Sequence, residues 1–279
     1  MNIEPDRYSA ERSGSDVSPE LSLATRISDN GSTTYHVIAN DRQTGTSLEK
    51  VFDEDYQLMC VRKRTTSGSH ETWFNPHTGT TVRIFESSPL SDGNQLTREV
   101  RYSNLDRSSE VVIVLSPADE IVRRIEREFS GPRTAYQEQT EYNNGAPITT
   151  VRHHMDEYSG RLLRREQDRW LVNGNYLFRE IFSFDVNGGL RQYTKVFFYQ
   201  NAGPFVKETR VYDSKSQFLL WREIVIFDRK GEQTGSERMT YDDRGKLHHR
   251  RSRFLEWEGD QTQHLPVGSW YTSCQLMIS

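Results

Sequence analysis

The chain has 279 residues and a formal net charge of −4, from 36 Lys and Arg against 40 Asp and Glu. Apolar residues make up 34% of it, no run approaches the ~18 to 20 continuous apolar residues of a membrane helix, and two cysteines cannot build a disulfide framework. A mean hydropathy of −0.81 implies a thin core, and a pI near 6.1 gives no global attraction for nucleic acid or anionic lipid.

Residues 1–34 hold seven serines (Ser9, Ser13, Ser15, Ser18, Ser22, Ser28 and Ser32) and only scattered apolar positions. Such a segment cannot repay the entropy of ordering, so it reads as a disordered polar leader. Met1 to Ala10 lacks the apolar stretch of a cleaved signal peptide, which points to a cytoplasmic chain or to one exported without a classical signal. A polar, serine-rich leader also resembles the amino-terminal export signals of bacterial type III effectors.

Residues 35–258 read as one β domain, with short runs of Val, Ile, Thr, Tyr, Phe and Arg broken by Asp, Asn, Ser and Gly clusters. Turns begin at Tyr142, Met155, Leu171, Phe184, Tyr199, Tyr212, Phe227 and Tyr241, at intervals of 13 to 16 residues. That interval leaves about nine residues of strand per turn, and connections so short force neighbouring strands antiparallel. Every second turn carries an aspartate after the last strand residue (Met155-Asp156, Phe184-Asp185, Tyr212-Asp213, Tyr241-Asp242), at separations of 29, 28 and 29 residues. This is a two-strand repeat, and alternate turns of a meander share an edge, so these four aspartates should form one row. The rhythm continues upstream through Phe129, Ser116, Tyr102, Phe74 and Phe52. The expected fold is all-β, an antiparallel meander of about 12 to 14 strands.

Alternate residues within the strands show no dry face. The strand ending at Tyr212 sets Phe205, Lys207, Thr209 and Val211 opposite Val206, Glu208, Arg210 and Tyr212. Charges at mid-strand on both sides favour an open, single-layer sheet stabilised by cross-strand pairs. The alternative is a closed up-and-down barrel. Only Val111 to Leu115 and Phe218 to Phe227 read as strands buried on both faces, seeding local cores or covering an edge. The tail 259–279 breaks the rhythm and reads as a cap on the last strand.

The pattern Tyr241-Asp242-Asp243-Arg244-Gly245-Lys246-Leu247, repeated more loosely from Phe184 to Leu190, resembles the YD repeats of Rhs-type proteins. It is also similar to the MORN-variant hairpin repeats of small bacterial proteins, and the likeness covers residues 142–257. It implies a repeat scaffold that contacts or encloses another protein, with no catalytic residues to carry over.

No GxSxG elbow, HExxH, Walker loop or GxGxxG occurs, which argues against the common hydrolase, kinase and metalloenzyme families and leaves only an enzyme of convergent geometry open; no cofactor is expected. The adjacent pairs His153-His154 and His248-His249 point to opposite faces of a strand and cannot grip one metal. No metal site is expected. The sharpest charge feature is the acid-free run from Arg244 to Arg253, with Arg244, Lys246, His248, His249, Arg250, Arg251 and Arg253. Strict alternation puts Lys246, His248 and Arg250 on one side and Leu247, His249, Arg251 and Arg253 on the other. These residues are the candidate binding site, and an acidic protein is the expected partner. The functional expectation is a non-enzymatic protein-binding repeat scaffold, as a secreted effector or a partner of a toxin or surface assembly. The alternative, tied to the closed barrel, is a lipocalin-like protein that binds or isomerises a small apolar molecule.

Overall fold

A computed structural model of the chain describes residues 20–27, 31–198 and 203–254. Among them every regular element is a strand. The first nine are β1 (Glu20–Ile27), β2 (Thr33–Asp41), β3 (Thr46–Phe52), β4 (Leu58–Thr65), β5 (Gly68–Phe74), β6 (Thr81–Pro89), β7 (Gln95–Ser103), β8 (Asp106–Leu115) and β9 (Ile121–Ser130). The other nine are β10 (Arg133–Asn143), β11 (Ala146–Met155), β12 (Leu162–Trp170), β13 (Tyr176–Phe184), β14 (Leu190–Phe198), β15 (Pro204–Tyr212), β16 (Leu219–Phe227), β17 (Gln233–Tyr241) and β18 (Leu247–Phe254).

Each strand pairs antiparallel with the strands before and after it in the chain, from β1–β2 to β17–β18, in one uninterrupted meander. Strands that are not neighbours in sequence do not touch, so no second layer packs on the sheet. β1 and β18 do not meet, which makes the sheet open and corrects the closed-barrel alternative. Among the described residues no helix is long and apolar enough to cross a membrane.

Eighteen strands exceed the expected 12 to 14 because the expected turns omit the connections β1–β2, β2–β3, β4–β5 and β6–β7; four connections in all have only two residues. At one, Asn104 and Leu105 have φ of 51° and 74°; at another, Asn144 and Gly145 have 49° and 74°, the paired positive angles whose twist matches flanking strands. The leader reading of 1–34 is also corrected: Glu20–Ile27 forms β1 and β2 begins at Thr33. Residues 1–19 and the tail 259–279 lie outside the described residues.

At most longer turns the register slips by one residue, which sets Met155 against Leu162, Phe184 against Leu190, Tyr212 against Leu219 and Tyr241 against Leu247. The slip is a bulge that closes the hairpin with an apolar pair. Beyond it the turn aspartate takes up backbone donors: Asp185 Oδ1 accepts from Asn187 (2.8 Å) and Gly189 (2.9 Å), and Asp242 Oδ1 from Arg244 (3.0 Å) and Lys246 (2.8 Å). Asp156, Asp185, Asp213 and Asp242 sit at alternate connections and so share one edge of the sheet. Adjacent turns there are tied together, with Arg161 donating to the Val186 carbonyl at 2.6 Å and the Leu190 N–H donating to the Gln217 side chain at 2.9 Å.

The buried side chains are more polar than apolar. Val51, Cys60, Val100, Ile224 and Met239 are the buried apolar ones, against His36, Glu110, Thr140, Thr150, Asp168, Thr194, Glu208, Thr209 and Glu237. Consecutive residues such as Lys63 and Arg64, Arg123 and Arg124, and Arg191 and Gln192 are both exposed. Neighbours on a strand point to opposite faces, so water reaches both sides of the sheet. Val111 to Leu115 of β8 and most of β16 are half-buried on both faces, but both strands are interior, so neither covers an edge.

Candidate functional site

Because few apolar side chains are buried among the described residues, mid-strand charges must be neutralised across strands, and many of them are. Glu110 on β8 is 4% exposed and lies between Arg98 on β7 and Arg127 on β9, each at 2.6 Å. Arg98 continues to Glu86 on β6 at 2.9 Å, Glu86 to His70 on β5 at 3.2 Å, and Arg127 to Gln137 on β10 at 3.0 Å. One ladder thus braces six strands. A second runs from Glu138 on β10 through Arg152 on β11 to Asp168 on β12, which also binds Arg179 on β13 at 2.7 Å and the Tyr176 hydroxyl. A third joins His36 on β2 to Glu49 on β3 at 2.6 Å and Glu49 to Arg62 on β4 at 3.2 Å.

Burial alone would raise the pKa of Glu49, Glu110 and Asp168, but hydrogen bonds from their cationic partners outweigh it and hold all three below the ordinary carboxylate range. Carboxylates with depressed folded-state values contribute stability that is complete above their ordinary values, 4.5 for Glu and 3.8 for Asp, and is lost as pH falls through the folded ones. His153, lowered by burial and by Arg165 and His154, adds a shallower loss of the same sign starting near its ordinary 6.5. The urea midpoint is therefore expected to decline gently below about pH 6.5 and steeply below about pH 4.5. A midpoint at pH 3.5 equal to that at pH 7 would contradict the ladders.

The thiol of Cys60 is fully buried, and that burial pushes it up to about 11, so it is not a nucleophile at neutral pH. No group of three or more His, Cys, Asp or Glu among the described residues could hold a metal ion. Asp156, Asp185, Asp213 and Asp242 each accept backbone N–H groups at Oδ1.

The basic run falls on the turn before β18 and on β18 itself, the last described strand. Arg244 and Lys246 lie in the turn, where their backbone N–H groups bind Asp242 and their side chains are exposed. Arg250 is spoken for: it binds Glu237 on β17, which is 3% exposed and also accepts from Ser252 at 3.1 Å. The register slip between Thr240 and Tyr241 modifies the expected alternation. Leu247 faces Tyr241 whereas His249 faces Thr240, so Leu247 and His249 point to opposite sides.

What remains on one face is His249, Arg251 and Arg253, opposite Thr240, Arg238 and Ser236 of β17. Arg238 is exposed, and its guanidinium stacks 4.7 Å from the ring centroid of Trp221 on β16. Like charges at Arg238 and Arg251 sit directly across from one another, a destabilising pair in isolation. Among the described residues Arg251 and Arg253 have no ion-pair partner. The structure thus splits the seven residues of the run and adds Arg238 and Trp221. Their signal in the sequence was register, readable only once the Tyr241–Leu247 bulge is placed. The sequence matches no protein-family model, and no curated protein matches it.

Proposed function

We propose that the chain is a non-enzymatic, protein-binding repeat scaffold whose last two strands receive an acidic partner. The observation that carries this reading is the exposed cluster of Arg238, His249, Arg251 and Arg253 on one face. Elsewhere the mid-strand arginines Arg98, Arg127, Arg152 and Arg179 are closed by carboxylates, whereas here Arg238 stands between Glu223 and Arg251, and among the described residues no carboxylate closes Arg251 or Arg253. Trp221 beneath Arg238 supplies the flat apolar surface that interfaces favour. An open sheet with two solvated faces offers area for contact and no enclosed site for chemistry. The likeness to YD and MORN-variant repeats extends this reading to an exported effector or to a partner of a toxin or surface assembly.

The test is fluorescence anisotropy with a labelled peptide of consecutive glutamates. The native chain should bind it, more weakly as salt rises, and Arg251→Glu with Arg253→Glu should weaken binding by about tenfold or more. A native chain that does not bind, or a double variant that binds equally, overturns the proposal.

A further inference from the structure

Among the described residues the two edge strands of the sheet, β1 and β18, differ in kind. An edge strand presents a row of unpaired N–H and C=O groups, and proteins blunt such edges with charge. β18 is blunted in this way by Arg250, Arg251 and Arg253. β1 is not: its sequence ELSLATRI carries one acid and one base, at its two ends, and seven of its eight residues are exposed. Leu21, Leu23 and Ile27, on the same face, are 69%, 81% and 74% exposed.

We infer that β1 pairs antiparallel with β1 of a second copy of this chain, about a two-fold axis at Leu23. That register sets Leu23 against Leu23, Leu21 against Thr25, Ser22 against Ala24 and Glu20 against Arg26, the last pair formed twice. Glu20 and Arg26 lie on the same face of β1, as an even spacing requires. Arg26 has no ion pair among the described residues. Glu20 gives one oxygen to Arg42 at 2.7 Å, an exposed contact that leaves its other oxygen for the second copy. The remaining edge pairings are less favourable. β18 against β18 would align arginines, and β1 against β18 would leave most of the three arginines without an acid and continue without closing.

Sedimentation equilibrium of the full chain from 1 to 100 µM tests this, with circular dichroism confirming strand content in every variant. The native chain should approach twice its monomer mass. Glu20→Arg and Arg26→Glu should each weaken association by about tenfold or more, since each turns two attractive cross-strand pairs into repulsive ones, and the double variant should restore it. A monomer at every concentration overturns the inference, as does a native monomer that dimerises only when residues 1–19 are removed. So do single reversals without effect, a double reversal that fails to rescue, or open-ended growth in mass.

Discussion

Replacing Asp168 by Asn is expected to lower the unfolding free energy by about 3 kcal/mol, because it leaves Arg179 without its counter-charge and Arg152 with Glu138 alone. Asp168 is 1% exposed and receives Arg152 from β11, Arg179 from β13 and the Tyr176 hydroxyl. Both guanidiniums are themselves half-covered, at 24% and 40% exposure, so neither can turn fully to water when the carboxylate goes. The matched control is Arg42→Ala, which breaks the Arg42–Glu20 bridge between side chains 78% and 59% exposed and should cost under about 1 kcal/mol. Urea unfolding followed by circular dichroism separates the two. Since each strand is held only by its neighbours, the loss should also be local, with faster amide exchange concentrated in β11 to β13. Equal costs for the two substitutions would mean that the buried ladders do not hold the sheet.

Gly68→Ala is expected to destabilise by about 3 kcal/mol, through overpacking and backbone strain together. Gly68 opens β5 immediately after a two-residue turn, at φ +141°, and an added Cβ would lie 2.0 Å from the Ser87 carbonyl oxygen of β6. That oxygen belongs to backbone in the β5–β6 ladder, where Ser87 faces Ser69, so the strand itself would have to move. At Gly174, φ +82°, a Cβ meets nothing within 4 Å, and alanine there should cost only the left-handed strain of about 1 to 2 kcal/mol. Gly68→Ala no worse than Gly174→Ala in the same urea series would show that β6 yields freely at this point.

The all-β meander was legible because aspartate and glycine at Asp185-Val186-Asn187-Gly188 and Asp242-Asp243-Arg244-Gly245 can do little else than close a bulged hairpin. The single layer was legible for a related reason: charges such as Lys207 and Glu208 fall on opposite faces of one strand, so neither face reads as an apolar core. What stayed hidden was pairing. Glu110 and Arg98 stand twelve positions apart, and only the β7–β8 register, fixed by the two-residue turn at Asn104 and Leu105, brings them together. β1 was lost among serines, although Leu21, Leu23 and Ile27 keep the period of two that marks a strand. The same limit applied to the basic cluster, where Arg250 and Arg251 look alike in sequence and differ wholly in role: Arg250 is bound to Glu237, and Arg251 lies across from Arg238.

The central claim is that one sheet, with water on both sides, is held by charges matched across neighbouring strands. Single cysteines at Lys63 and Arg64, Arg123 and Arg124, and Arg191 and Gln192 test it most directly, in a chain carrying Cys274→Ser and keeping the buried Cys60 as an internal control. Each pair places one thiol on each face, on β4, β9 and β14. The account predicts that both members of every pair react with a charged maleimide at similar rates while Cys60 stays unmodified. Protection of one member of each pair, always on the same face, would reveal a dry side and contradict it.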